Sequence, residues 1–293
     1  MRTIAAPTPS TKRNVDLAQG PVIAHFHASA ALYKVWSEEG HLHFGYCGGL
    51  QRIFQRRMML EAMTHRVVSE LAPLPGERFA DLGCGYGSSA RLVAGTYGVG
   101  VDAFTVVPQQ VREGQATADR EHVDVTMHLR DFRHTGLADG SMDGVYALES
   151  LCYDDGPGKQ QVLAEAARIL KPGGRLALTD GFILKEPKGW RARMTKTTER
   201  GWAVPCFPRQ RAFLSALTRA GFGDVKIFDL SWRVAPSALH GLPLLALTWL
   251  REFFSRTELD PLERAHLRSC FNGILLGTQR DLFRYLLVTA TKR

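Results

Sequence analysis

The chain has 293 residues, of which 45% are hydrophobic and 23% charged, an ordinary globular composition that allows one large α/β domain or two smaller ones. Five scattered cysteines without a C-x-x-C pair argue against the disulfide framework of a secreted protein and against a cysteine-based zinc site. The net charge of +8 favours an anionic partner only where that charge is concentrated at one site.

The N-terminal region predicts a flexible arm over residues 1–22, which are rich in Pro, Thr and Ala. The first ten residues lack the apolar region of a signal peptide, and the longest apolar stretch, residues 242–250, is too short to span a bilayer. We therefore expect a soluble, cytoplasmic protein. Helical apolar spacing over residues 24–36 and 51–71 then predicts a helical cap over residues 23–75, with a loop rich in glycine and aromatic residues between the two helices.

Strand and helix signals alternate from residue 76 to residue 184, and this rhythm predicts a parallel, doubly wound α/β core. The predicted strands are 78–82, 99–102, 125–130, 144–148 and 175–180, and the predicted helices are 88–96, 108–121 and 159–170. Residues 185–207 interrupt the rhythm as an insertion. Residues 208–293 complete a seven-stranded sheet with strands 225–230 and 283–290, around a helical insertion at about 236–277.

A glycine-rich turn leaves the first strand and enters a helix, in the sequence Asp81-Leu82-Gly83-Cys84-Gly85-Tyr86-Gly87. Glycines allow a sharp turn and the close approach of a ligand, and the helix amides that follow favour an anion. The spacing is G-x-G-x-G rather than the dinucleotide G-x-G-x-x-G, so the carboxylate of a methionine is a better fit than a pyrophosphate. Asp102, nineteen residues after Gly83, is placed to accept ribose hydroxyl protons, and Asp131 is placed to meet an adenine amine.

With these motifs, residues 79–183 resemble the class I S-adenosylmethionine-dependent methyltransferases, which implies a Rossmann-like core and S-adenosylmethionine as cofactor. The alternative is a Rossmann-like domain that binds another ligand. The resemblance implies these cofactor contacts: Asp81, Gly83, Cys84, Gly85, Asp102, Ala103, Asp131, Phe132 and Leu148.

Residues 40–46 and 146–151 further resemble the small-molecule branch that contains the rebeccamycin sugar O-methyltransferase and the sterol, tocopherol and terpenoid C-methyltransferases. The resemblance implies that the N-terminal aromatic loop folds over cofactor and substrate and that Glu149 lies beneath the reacting centre. One departure concerns the acceptor atom. Cys152 and Tyr153 stand where the sugar O-methyltransferase has two histidines, and an alcohol nucleophile needs a base.

We therefore predict methylation at carbon of a hydrophobic natural-product or isoprenoid substrate, with O- or N-methylation as the alternative. A carbocation can be stabilised by aromatic faces and a carboxylate. The catalytic candidates are Glu149, Tyr153, Asp180 and His43, of which Asp180 and His43 could also serve an O-methyltransferase; the aromatic substrate contacts are Tyr33, Trp36, Phe44 and Tyr46. Phe44 and Tyr46 have a second interpretation as packing residues, and His43 as a loop residue.

The insertion at 185–207 carries half of the net charge, with six basic and two acidic residues between Lys185 and Arg200. Such a run is either a solvated helix face or a lid whose Arg191 and Arg193 bind an anionic, hydrophobic substrate.

Rival classes remain at this point. A nucleic-acid methyltransferase that acts on amino groups would carry an Asn/Asp-Pro-Pro-aromatic motif after the fourth strand, and an RNA cytosine enzyme would carry Pro-Cys there, where this chain has Glu149-Ser150-Leu151-Cys152. A methyltransferase fold that acts as a cyclase or only binds cofactor stays open. We expect a small-molecule partner, no metal site, no nucleic acid and no membrane, and leave a homodimer open.

Overall fold

The computed structural model describes residues 20–49, 53–255 and 260–293. Its centre is a seven-stranded sheet in the order β3-β2-β1-β4-β5-β7-β6, which confirms the predicted Rossmann-like fold. The first five strands are parallel, and β7 runs antiparallel to both β5 and β6. The strands are β1 (Arg78–Leu82), β2 (Gly100–Thr105), β3 (Val125–Leu129), β4 (Met142–Leu148), β5 (Leu170–Ile183), β6 (Phe222–Asp229) and β7 (Phe283–Lys292).

Helices cover both faces of the sheet, so its central strands are apolar on both sides. In β4, Val145 and Ala147 belong to one core cluster, whereas Tyr146 and Leu148 belong to the other. The helices are α1 (Gly20–Ala28), α2 (Ala30–Trp36), α3 (Arg56–Val68), α4 (Ser88–Tyr97), α5 (Pro108–Glu121), α6 (Gln160–Ile169), α7 (Gly189–Gly201), α8 (Gln210–Arg219), α9 (Ser231–Leu239), α10 (Gly241–Ser255) and α11 (Pro261–Thr278).

The helices outside the sheet differ in detail from the predicted ones. Residues 24–36 form two helices instead of one, separated at Ser29, and α1 begins at Gly20, inside the range predicted as a flexible arm. Residues 1–19 of that arm and the start of the helix predicted at 51–71 lie outside the described residues. The insertion at 185–207 folds as α7 and packs on α11, where the Ser269 hydroxyl donates to the Thr197 carbonyl at 3.0 Å. Of the helices the structure describes, none is long and apolar enough to cross a membrane.

Candidate active site

A cavity of about 430 Å³ lies at the carboxyl ends of β1, β2, β4 and β5, between the sheet and a helical cover. Ligands collect at this edge of a parallel sheet because loops and helix N-termini converge there. The cover consists of α1, α2 and the loop at residues 41–44 on one side and of α10 and α11 on the other.

The glycine turn after β1 forms one wall of the cavity through Gly83 and Gly85. Both residues have left-handed backbones, with φ of +94° and +54°. A Cβ atom at Gly83 would lie 2.2 Å from the Cβ of Ser150, and one at Gly85 would lie 2.7 Å from Cδ1 of Leu42. Glycine is therefore required at both positions, because the backbone is left-handed and Ser150 and Leu42 pack directly against it.

Three other residues predicted around this turn do not line the cavity. Cys84 and Ala103 lie behind its wall, and Asp81 is buried next to Tyr146. Burial raises the pKa of Asp81 to about 7, and the Tyr146 hydroxyl opposes that rise. Asp81 therefore contributes to the floor under the turn rather than to the cavity surface.

Asp102 does not fit the predicted ribose contact. The strand β2 continues to Thr105, three residues beyond its predicted end, so Asp102 lies mid-strand and outside the cavity lining. Its carboxylate accepts from the Arg78 guanidinium at 2.5 Å and from His128 Nε2 at 2.8 Å. Burial raises the pKa of Asp102, but these two partners outweigh burial and lower it overall.

Thr105 and Gln110 lie near the end of β2, where the sequence interpretation placed the ribose contact. Both line the cavity, and the Thr105 hydroxyl donates to Gln110 Oε1 at 2.6 Å. The signal for them was present in the sequence: Thr105 precedes Pro108, which begins α5, so the strand-to-helix turn falls at residues 106–107.

Asp131, Phe132 and Leu148 line the cavity as the cofactor prediction requires of residues at the ends of β3 and β4. The Asp131 carboxylate is held by the Arg133 guanidinium, with Nε at 3.0 Å from both oxygens and Nη2 at 2.6 Å from Oδ2. The Arg133 amide also donates to Oδ1 at 2.9 Å, so Arg133 fixes the orientation of this carboxylate at the cavity wall.

Glu149 follows β4 in a left-handed backbone with φ of +53°, an uncommon conformation for a residue with a side chain. Its amide donates to the Thr179 carbonyl at 2.8 Å, which anchors it on β5. Its Oε1 accepts from the Phe44 amide at 2.6 Å and from the Tyr285 hydroxyl at 2.7 Å. Burial raises the pKa of Glu149 to about 8, although both donors lower it.

Asp180 lies across from Glu149 and also lines the cavity. Its carboxylate accepts from the backbone amides of Cys152 at 2.9 Å and Gly181 at 2.7 Å. Burial raises the pKa of Asp180 to about 6 against these hydrogen bonds. Two carboxyl groups that titrate near neutral pH thus face one cavity, an arrangement suited to proton transfer.

His43 lines the cavity, but both ring nitrogens are engaged within the cover. Nδ1 lies 2.9 Å from the Phe44 carbonyl, and Nε2 lies 3.2 Å from His41 Nδ1 and 3.3 Å from the Ser89 hydroxyl. Burial lowers the pKa of His43 to about 4. This geometry favours the loop role over the role of a base.

Four of the predicted aromatic and phenolic residues, Tyr33, Trp36, Phe44 and Tyr153, line the cavity. The Tyr153 hydroxyl donates to the Trp202 carbonyl at 3.3 Å. Tyr46 does not line the cavity, because its amide bonds the Met59 carbonyl at 2.7 Å and the loop turns away towards α3 at this point.

The charged residues of the basic insertion do not reach the cavity, although its C-terminal residues Trp202, Val204 and Phe207 line it. Arg191 pairs with Asp281 at 3.0 Å, and Arg193 is exposed on the outer face of α7. The buried face of α7 consists of Thr195, Thr198, Glu199 and Gly201. Within the described part of the chain, no lysine or arginine lines the cavity, so the solvated-face interpretation of the basic run is the one that fits.

Comparison with known proteins identifies the family. A family model described as a methyltransferase domain matches residues 79–174. The 27-O-demethylrifamycin SV methyltransferase of Amycolatopsis mediterranei (strain S699) is 32% identical over 267 residues, which cover 89% of this chain and 92% of that protein. The chain belongs to the class I S-adenosylmethionine-dependent methyltransferases. Its cofactor is S-adenosylmethionine.

Two solved structures share the fold of this methyltransferase over nearly its whole length. The [4+2]-cyclase SpnF superposes with a TM-score of 0.77 at 20% identity and covers 99% of both chains. The geranyl diphosphate C-methyltransferase of Streptomyces coelicolor A3(2), solved with Mg²⁺, geranyl-S-thiolodiphosphate and S-adenosyl-L-homocysteine, superposes with a TM-score of 0.71 at 18% identity, covering 98% of this chain and all of that one.

Sequence reasoning missed Tyr285 and His266, which also line the cavity of the methyltransferase. Tyr285 lies inside β7, and its contact with Glu149 joins residues 136 positions apart. His266 lies on α11, buried against His25 with 5.0 Å between ring centroids. Neither position carries a local signal, because only the tertiary fold brings these elements to the cavity.

Proposed function

We propose that this methyltransferase transfers a methyl group to a hydroxyl oxygen of a neutral, lipophilic small molecule of the secondary-metabolite type. The cavity wall carries this proposal: it is mainly aliphatic and aromatic, includes three carboxyl groups, and within the described residues includes no lysine or arginine. The chain has a net charge of +8, yet the positive charge lies elsewhere. Lipophilic ligands are bound by such apolar pockets with a few convergent polar groups.

The cofactor fits the cradle at the ends of β1, β2 and β3. Gly83 and Gly85 bring backbone to the cavity wall, Thr105 and Gln110 offer hydroxyl and amide partners for a ribose, and Asp131 and Phe132 lie at the end of β3, where the adenine would lie. When bound there, S-adenosylmethionine supplies an electrophilic methyl group on a sulfonium.

The chain's own residues then handle the proton and exclude water. The carboxylate of Glu149 takes the hydroxyl proton of the acceptor on Oε2, because Oε1 is occupied by the Phe44 amide and the Tyr285 hydroxyl. A base whose pKa lies near the working pH is the most effective for this step. The rings of Tyr33, Trp36 and Phe44 close the cavity over the reacting groups.

An anionic substrate, which the basic insertion suggested, is not part of this proposal. The solved C-methyltransferase binds a diphosphate with Mg²⁺. Here the described residues contain no group of three His, Cys, Asp or Glu side chains that could hold a metal ion. Burying a diphosphate among carboxyl groups without a cation would be strongly unfavourable.

Methylation at carbon is the second candidate, and the aromatic wall favours it. The rings of Phe26, Tyr33, Trp36 and Phe44 line the cavity with Glu149, and aromatic faces stabilise a carbocation. In that reaction an alkene carbon would gain the methyl group, and Glu149 would take the proton that the cation loses. The 27-O-demethylrifamycin SV methyltransferase, whose named substrate lacks a methyl group on oxygen, supports the hydroxyl acceptor.

A transfer assay with matched pairs tests the proposal. S-adenosylmethionine with a ¹³C-labelled methyl group is incubated with geraniol and geranyl diphosphate, and with 2-naphthol and 6-hydroxy-2-naphthoate, an anion that keeps the acceptor hydroxyl. We expect the enzyme to label neutral members and to ignore their anionic partners, with mass spectrometry locating the methyl on oxygen. Faster labelling of the anionic members would contradict the proposed substrate class, and a methyl on carbon would favour the second candidate.

A further inference from the structure

Two donors converge on one oxygen of Glu149. The Phe44 amide from the N-terminal cover and the Tyr285 hydroxyl from β7 both donate to Oε1, at 2.6 and 2.7 Å. No donor among the described residues lies within hydrogen-bond distance of Oε2. The two oxygens of this carboxyl group are therefore not equivalent.

The donors are themselves fixed in place. Tyr285 is buried, and both of its backbone polar groups are hydrogen-bonded. Its amide donates to the Ser231 hydroxyl at 2.8 Å, and its carbonyl accepts from the Leu230 amide at 2.9 Å. The Phe44 ring meets the Tyr285 ring edge to face, with centroids 6.5 Å apart. The N-terminal cover and β7 therefore hold the Glu149 carboxyl group from two sides. We call this pair of donors on Oε1, the Phe44 amide and the Tyr285 hydroxyl, the clamp.

The backbone of Glu149 adds a third constraint. Its φ of +53° is unfavourable for a residue with a side chain, and such a conformation persists only when the surroundings hold it. The bond from its amide to the Thr179 carbonyl does so, and it directs the side chain from the end of β4 into the cavity.

We propose that Tyr285 is a positioning residue for methyl transfer: with the Phe44 amide it fixes Oε1 of Glu149, so that Oε2 is the oxygen presented to the acceptor and the one that takes its proton. This inference rests on the proposed function, because it assumes that Glu149 is the proton acceptor. The proton moves from the acceptor hydroxyl to Oε2, and no other bond in the chain changes.

The surroundings of Glu149 give this clamp a measurable effect. Burial raises the pKa of Glu149, and the Tyr285 hydrogen bond lowers it, so removal of the hydroxyl raises it further. The other groups facing Glu149 are Asp180, whose pKa burial raises to about 6, and Tyr33, Tyr153 and Cys152, whose pKa values burial raises so that they stay uncharged. Asp180 is thus the one neighbour that titrates in a similar range.

Carboxyl titration by NMR tests the clamp without a substrate. Full-length protein is labelled with ¹³C at the glutamate carboxyl, the Glu149 signal is assigned by its loss in Glu149→Gln, and Asp180 is left unlabelled. We expect Tyr285→Phe to raise the Glu149 titration midpoint by roughly half to one pH unit, the effect of one neutral hydrogen bond. Tyr97→Phe is the matched control, since its hydroxyl lies 3.1 Å from His65 Nδ1 and outside the cavity lining, and should leave the midpoint in place.

An activity measurement completes the test. With a neutral alcohol that the wild type methylates, kcat should rise with pH. Tyr285→Phe should shift the midpoint of this rise to higher pH by the same amount, with little change in KM. An unchanged Glu149 midpoint in a folded Tyr285→Phe protein overturns the proposal, whatever its effect on melting temperature. If the wild type methylates none of the alcohols, the proposed function fails, and the NMR midpoint still decides whether Tyr285 holds the carboxyl group.

Discussion

At the residue scale, the end of β2 decides which side chains meet the cofactor. Thr105 and Gln110 line the cavity, whereas Asp102 is held by Arg78 and His128 outside it. Thr105→Val and Gln110→Ala should each weaken S-adenosylmethionine binding by about 1 kcal/mol, the net value of a hydrogen bond. Titration calorimetry measures this directly.

Asp102→Asn is the comparison variant for that measurement. It should lower the melting temperature by disturbing the two bonds to Asp102 while leaving the cofactor Kd within about threefold of wild type, less than the value of one hydrogen bond. If Asp102→Asn weakens binding more than both cavity variants do, the ribose belongs at Asp102 and the assignment to Thr105 and Gln110 is wrong.

Glu149 should make the stability of the folded protein fall as the pH rises. Its pKa is raised by burial from an ordinary 4.5 to about 8 in the folded protein, so its stabilising contribution is complete below about pH 4.5 and is lost as pH rises through 8. Glutamine does not ionise. The free energy of unfolding of Glu149→Gln relative to wild type should therefore increase by at least ~1 kcal/mol between pH 5 and pH 8.5.

Urea unfolding at the two pH values checks this expectation. Glu38→Gln, at an exposed position on the surface, is the control and should show no such increase. A relative stability of Glu149→Gln that stays constant with pH would mean that Glu149 is ionised in the folded protein throughout this range.

At the element scale, α7 packs on α11 and keeps its basic side chains outside the cavity lining. Arg191 pairs with Asp281 at the surface, and Arg193 is exposed. The double variant Arg191→Gln/Arg193→Gln should leave KM for substrate within about twofold and change stability by less than about 0.5 kcal/mol, as surface charges usually do. Steady-state kinetics on the double variant measures it, and a KM several-fold higher would restore the lid.

The core elements are the part that sequence predicts best. Parallel strands buried on both faces read as short apolar runs between turn residues, and each of the seven predicted strands is present. Periodicity fixes strand ends less well. The end of β2 lies three residues beyond the predicted one, and that shift alone moved the expected ribose contact to Asp102.

The site residues also divide into those that the sequence predicts and those that it does not. Glu149 could be predicted because it directly follows β4, at the edge of the parallel sheet where ligands bind, and Asp180 because it ends the predicted strand 175–180. Tyr285 could not, since it is an ordinary strand residue whose contact with Glu149 depends on β7 pairing with β5. The charge run at 185–207 was visible, but composition does not say which face of α7 points to the cavity.

At the scale of the whole molecule, the cover is the acid-sensitive part. Burial lowers the pKa of His25 and His43 to about 4 and of His41 and His266 to about 3, from an ordinary 6.5. The stability that these neutral rings contribute is complete above about pH 6.5 and is lost as pH falls towards 4. All four lie in the cover, in α1, the loop at 41–44 and α11.

Hydrogen exchange followed by mass spectrometry tests that difference between cover and core. After correction for the chemical exchange rate, protection of residues 20–49 should fall between pH 7 and pH 5, while protection of β1, β4 and β5 stays high. Equal loss of protection in both parts would show that the histidines do not set the acid limit of the cover.

We propose that Glu149 takes the proton while the methyl group is transferred to a neutral, lipophilic hydroxyl compound in the cavity. The most direct measurement is single-turnover transfer of the ¹³C-methyl group to the best neutral acceptor by wild type and Glu149→Gln, with the cofactor Kd of each measured alongside. We predict a methyl on oxygen, a rate constant at least about a hundredfold lower in Glu149→Gln, the usual contribution of a general base, and an unchanged cofactor Kd. Full activity in Glu149→Gln, or an acceptor that must be anionic, would contradict the account.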